Sequence, residues 1–279
     1  MPKPKSASLI FPLAKSEAKT LTATKKMFGR ANELVGFIEA LYQNLPLCFA
    51  PAVRTDLEKR VVKTQMQMLA FCCRQMIVGT LALMRCYKGE CLLSLRRAIE
   101  SGVFAFHISQ HPEKADIWLQ AGQNDKDYKT YRKAFKNELC FCADPNHPDY
   151  ILAVFELKAI YDACSKLMHS SVLGLSEHFI NHEATRFRMI FPDTLLSDSE
   201  ALCSVFISHL VVHLRILQLF AAIVTPNANP EILAIWYTDY ANAVENIERQ
   251  RQAWKIGGDV IADESPGATP AEEETEASL

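Results

Sequence analysis

The sequence predicts an all-α protein: a single multi-helix bundle domain with one small β-hairpin insertion. Three observations predict it. Glycine is scarce, at 10 of 279 residues, whereas a sandwich of short strands needs frequent turns. Apolar residues make up 49% of the chain and charged residues 22%, in the range of an ordinary globular core. The apolar positions recur at steps of three and four through long segments, the period of a helix with one buried face.

Taken in order, residues 1–15 are expected to form a disordered basic arm and residues 16–255 the helical domain. A first helix is predicted over 16–44, where Leu34, Phe37, Ile38 and Leu41 share a face. Pro46 and Pro51 break it. The segment Thr55–Tyr87 is a second, long helix, and Lys88-Gly89 makes a tight connection to a third at Glu90–Ser109, which must return antiparallel. Shorter helices follow from Pro112 to Ala121 and over Asp127–Asn137. After the Asp144–Pro148 loop comes a helix over Asp149–Ser170. The period then changes: Thr185, Phe187, Met189 and Phe191 alternate with Arg186 and Arg188, as in one strand of a hairpin ending at Pro192. Ser197–Val224, opened by a Ser197-x-x-Glu200 capping box, and Pro230–Lys255 complete the helices. Gly257-Gly258 stops the last one, and residues 256–279 are expected to be a disordered acidic tail.

Charge is unevenly spread. Residues 1–26 carry six lysines and one acid, and residues 256–279 carry seven acids with no lysine or arginine. The body between them is neutral, which excludes the broad basic face of a protein dedicated to duplex DNA. The nine cysteines are scattered through apolar stretches and read as free thiols in a reducing compartment. Met1–Lys15 has neither the apolar core nor the cleavage site of a signal peptide, so a cytoplasmic location is expected. Leu69–Tyr87 and Leu210–Val224 look membrane-like but are interrupted by Arg74, Gln75 and Arg85, and by His213, Arg215 and Gln218. Buried core helices are expected there, and no membrane partner.

Polar groups interrupting the helical stripes mark the candidate site. On the third long helix Leu93, Arg97, Glu100, Phe104 and His107 fall on one stripe, and Arg97 can pair with Glu100. On the Asp149–Ser170 helix Lys158, Asp162, Ser165 and His169 share a face beside Tyr161. If the two helices pack together, Arg97, Glu100, Tyr161, Ser165 and His169 form a polar cluster in a low-dielectric place. Such a cluster must satisfy its own hydrogen bonds or it is costly. It is either a register-fixing network or a functional pocket.

Two stretches carry a resemblance. Leu93-Ser94-Leu95-Arg96-Arg97-Ala98-Ile99-Glu100-Ser101 and Tyr161-Asp162-Ala163-Cys164-Ser165-Lys166-Leu167-Met168-His169 resemble uncharacterised bacterial helical proteins related to the HEPN superfamily, over roughly residues 60–225. Those proteins show an Arg-x-x-Glu step on one helix and a Tyr-x-x-x-Ser-x-x-x-His step on a later one. The resemblance implies either metal-independent endoribonucleases of toxin–antitoxin and phage-defence systems or inactive versions that bind nucleotide or RNA. Active members carry an arginine four to six residues before a histidine on one helix. None of the thirteen arginines here has that relation to a histidine, so Arg97 would have to replace it from another helix. In that role His169 would deprotonate a ribose 2′-hydroxyl while Arg97 stabilised the phosphorane, Glu100 beside it. Tyr161, Ser165, Lys166 and His107 are the candidate binding residues.

Other constellations give weaker chemistry. His209 and His213 are spaced for chelation from one helix face; His178 and His182 have the same sequence spacing, but the hairpin would splay them apart, and Cys140, Cys142 and His147 lie close in sequence. None matches a structural zinc signature, so no metal is expected. Ser165, Asp162 and His169 hold the residue types of a hydrolase triad, but on one helix they leave little room for an oxyanion hole. The dispersed glycines form no phosphate-cradling loop, so no nucleotide cofactor is expected. The reading is a HEPN-like protein, non-catalytic or cryptically active, that binds nucleic acid, RNA among them, or a protein partner, with bacterial stress or phage defence implied by the resemblance. Its alternatives are an endoribonuclease using His169 and Arg97, and a structural adaptor, dimeric through its long apolar helices.

Overall fold

The computed structural model describes residues 10–49, 55–141, 148–168, 179–183, 186–189 and 199–255. His169, His147, His178, Cys142, the Ser197 cap, Thr185, Phe191 and the acidic tail lie outside them.

The fold is all-α. Its helices are α1 (Ile10–Phe28), α2 (Asn32–Asn44), α3 (Asp56–Met84), α4 (Lys88–Gln110), α5 (Lys114–Gln120), α6 (Asp125–Ala134), α7 (Asn137–Cys140), α8 (Pro148–Met168), α9 (Ser199–Val224) and α10 (Pro230–Ala253). The expected first helix differs in two ways. It begins at Ile10, inside the stretch expected to be disordered, and it is interrupted by a 3-10 turn at Gly29–Ala31. Gly29 sits at φ +50, where a residue with a Cβ is strained. The interruption turns the chain so that Phe28 stacks on Phe206 of α9 while α2 buries Leu34, Ile38 and Leu41.

Local chemistry fixes the other ends. Thr55 opens α3 with a reciprocal capping box: its hydroxyl accepts from the Glu58 N–H at 3.2 Å, and its own N–H donates to Glu58 Oε2 at 2.7 Å. Asn229 caps α10 by accepting from the Glu231 N–H at 3.0 Å, with Pro230 at the first helical position. The three residues Arg85–Tyr87 reverse the chain between α3 and α4, with Cys86 in the left-handed region at φ 59. The antiparallel return is as expected: the Cys72 thiol, near the middle of α3, reaches the Ala98 carbonyl of α4 at 3.3 Å.

Helix α4 is the centre of the bundle. It packs against α3, α8 and α9 together, and every residue from Gly102 to Ile108 is buried. Gly102 eases the close approach of α4 and α9, since a Cβ there would sit 3.0 Å from Ile216 Cγ2 and press on it. Helix α9 also contacts α2 and α3, and α10 closes the far side by packing on α2 and α9. Trp236 of α10 anchors that contact by donating its indole N–H to the Leu41 carbonyl at 3.0 Å.

Among the described residues two helices are long and apolar enough to cross a membrane, Asp56–Met84 and the α9 region Ser199–Asn227, but their most apolar windows are 50% and 72% buried inside the fold. Eight of the nine cysteines are described and none of these eight is in a disulfide; seven are buried and Cys73 is half-buried. Burial pushes the Cys140 and Cys164 thiols up to about 12 and those of Cys73 and Cys203 up to about 11.

Candidate functional site

Helices α4 and α8 do bring Glu100 and Tyr161 together, because α4 turns that edge toward α8. The Tyr161 hydroxyl donates to Glu100 Oε1 at 2.7 Å. The guanidinium that completes the group belongs to Arg96, not Arg97. Arg96 Nη2 donates to the Tyr161 hydroxyl oxygen at 3.0 Å, its Nε lies 3.6 Å from Glu100 Oε1, and its Cζ sits 5.0 Å from the Tyr161 ring centroid. Arg97 is exposed. The expected Arg97–Glu100 pair is therefore replaced by an Arg96–Glu100 pair at the next helical spacing. One residue turns a side chain by about 100°, and that turn separates the α8 face from solvent.

The geometry makes a closed relay: guanidinium to phenol oxygen, phenol proton to carboxylate. Tyr161 is 4% exposed, while the Arg96 and Glu100 side chains are about one-third exposed, at 28% and 31%. Burial works against the charge on Arg96, but Tyr161 and Glu100 outweigh it and hold its pKa above the ordinary value. Phe141 covers the Tyr161 ring at 5.1 Å between centroids, and Lys158 lies 5.8 Å from the Phe141 centroid while pairing with Asp162 at 2.5 Å.

The remaining candidates are spread out. Ser165 donates back to the Tyr161 carbonyl of its own helix at 2.8 Å, and Lys166 is exposed. His107 is not part of the cluster. It is buried near the far end of α4, with Lys114 Nζ at 2.5 Å from its Nε2 and the rings of His111 and Phe135 at 4.8 and 6.0 Å. Burial, with Lys114 and His111 beside it, pushes its pKa down to about 4.

A second polar group, in the core, was legible in sequence only as a histidine pair. His209 and His213 are both buried, their rings 4.8 Å apart. His209 Nε2–H donates to the Met76 carbonyl at 3.1 Å, leaving Nδ1 to accept from the Cys91 thiol at 3.6 Å. The Tyr42 hydroxyl lies 2.9 Å from His213 Nδ1 and 3.5 Å from the His213 carbonyl oxygen. His213 Nε2 then faces the interior with no partner among the described residues. Burial pushes His209 down to about 4 and His213 well below its ordinary value. Gly79 makes room for this group, since a Cβ there would lie 2.6 Å from His209 Cε1. Among the described residues no three metal-ligating side chains converge.

Sequence reasoning missed Arg96 and Tyr42. The signal for Arg96 was present, as a Glu four residues along the same helix; Tyr42 contacts a histidine 171 residues away and left no local trace. Comparison with family models, with curated proteins and with solved structures finds no match to this chain.

Proposed function

We propose that the chain is a HEPN-like helical binding protein without catalysis of its own, acting on RNA or a protein partner. Of the two, the exposed cations favour RNA. One observation carries the reading. The ionisable groups between α4 and α8 are spent on each other through Tyr161, which suits a joint that fixes two helices. Arg97 and Lys166 project from the same two helices and are exposed. Lys19, Lys25, Lys26 and Arg30 add exposed positive charge at α1 and the turn after it. Phosphates are held by such side chains, and single-stranded RNA needs no wide basic face.

The wider reading has one domain over 16–255, a cytoplasmic location, pairing of two copies, and a role in bacterial stress or phage defence suggested by the resemblance alone. It also includes the hairpin insertion, which backbone pairing of Phe179 with Met189 and of Ile180 with Arg188 supports.

The test is titration of a short, labelled, mixed-sequence RNA with the full chain in EDTA, beside an Arg97→Ala/Lys166→Ala variant and a His169→Ala variant. Reversible binding is expected, with the double variant lowering the magnitude of the salt slope by about 1.4. Absence of binding by folded protein at about 50 mM salt sinks the proposal. Cleavage that survives chelation and disappears in His169→Ala replaces it with the endoribonuclease.

A further inference from the structure

At the end of the bundle opposite the α3–α4 turn lies a cleft of about 870 Å³, within the size range of small-molecule sites. Its apolar walls come from Leu57 and Val61 of α3, Phe106 of α4, and Ala222 and Ile223 of α9. Into this cleft α3 also places Gln65, which is only 3% exposed. Among the described residues its carboxamide makes no hydrogen bond. The neighbouring hydroxyls are already committed: Ser109 donates to the Phe106 carbonyl and Thr225 to the Ala221 carbonyl.

The electrostatics lean negative, although the start of α3 at Thr55, with the opposite partial charge, also lines the cleft. Among the described lining residues Glu58 is the one charged group. The last turns of α4 and α9 also end on the cleft wall, at Gln110 and just before Thr225. The C-terminal ends of long helices carry partial negative charge. Anionic ligands are therefore disfavoured, while neutral and cationic ones are admitted.

We infer that this cleft binds a small amphipathic molecule whose uncharged or cationic hydrogen-bonding head pairs with Gln65 and whose apolar body lies against Val61, Phe106 and Ile223. The site is separate from the α4–α8 joint and independent of RNA binding.

Nile red, a neutral apolar dye, is the probe, displaced in turn by N-hexylacetamide, hexylammonium and hexanoate, which share one tail. Saturable dye fluorescence is expected, with the amide and the ammonium displacing it at least about fivefold better than hexanoate. Gln65→Leu keeps the apolar volume and should weaken the amide about fivefold, the loss of one hydrogen bond. Val61→Trp fills the cleft and should abolish dye binding; Leu57→Trp, at the exposed rim, serves if the former fails to fold. The inference is overturned by no saturable signal from wild type, by hexanoate competing as well as the others, by unchanged amide affinity in Gln65→Leu, or by dye binding that both tryptophan variants leave intact.

Discussion

Replacing Gly79 with alanine sets two terms against each other that the structure sizes separately. Alanine is favoured over glycine inside a helix by about 1 kcal/mol. Against this, the new Cβ would stand 2.6 Å from His209 Cε1 and 3.2 Å from Nε2, closer than carbon atoms tolerate. The imidazole has no free direction in which to yield. Its Nε2–H is held by the Met76 carbonyl on the same helix as Gly79, its Nδ1 faces the Cys91 thiol, and the His213 ring lies beside it. Overpacking of a rigid core costs about 1–3 kcal/mol, and giving up the Met76 bond adds about 1 kcal/mol. The net expectation for Gly79→Ala is a loss of about 1–3 kcal/mol, read as a lower urea midpoint at unchanged slope. Gly36→Ala is the control: that glycine is exposed on α2 with nothing within 4 Å of a built Cβ, so the propensity term acts alone and should stabilise by up to about 1 kcal/mol. A Gly79→Ala protein as stable as wild type, with Gly36→Ala behaving as expected, would refute the pinned imidazole.

Acid should weaken the fold earlier than carboxylate titration would. His107 and His209 are held down near 4 against an ordinary value of 6.5, so below about 6.5 the unfolded chain binds more protons than the folded one. The histidine contribution is then constant above that pH and falls between about 6.5 and 4, by an order of 3 kcal/mol for the buried His209; urea midpoints at pH 7 and 4.5 check it, and His209→Gln should make the fall shallower, with His107 and His213 supplying the rest. Arg96→Met should cost about 1 kcal/mol, reduced by the partial exposure of the pair, while Arg97→Met stays within about 0.5 kcal/mol. Equal losses from the two, measured by denaturation, would contradict the assignment of Arg96 to the joint. Tyr42→Phe strips His213 Nδ1 of its hydrogen-bond partner in the core and should cost about 1–3 kcal/mol, seen as a lower Tm.

The helices were legible wherever chemistry punctuates the chain. Pro46, Pro230 and the Lys88-Gly89 step put most ends within a few residues of their positions. The break at Gly29 was not, because Phe28 and Leu34 continue an apolar pattern through it, and the Phe28–Phe206 stack beside the break is a contact across the whole sequence. Periodicity also could not choose between Arg96 and Arg97. A helix with one buried face declares its orientation, but α4 is enclosed by three neighbours, and from Gly102 to Ile108 it has no polar side to read. Glu100 and Tyr161 were found because a Glu and a Tyr interrupting apolar stripes must meet a partner, whichever residue supplies it. Gln65 interrupts α3 in the same way and meets none among the described residues.

The buried thiols give the molecule a built-in clock. Because seven of the eight described cysteines are shut inside the bundle, an alkylating reagent reaches them only when the helices part. The rate at which label accumulates then measures how often each part of the bundle breathes. Cys72, near the middle of α3, and Cys91, whose thiol meets the buried His209 ring, would time the slowest opening, and Cys73, already at the edge of solvent, would mark time zero.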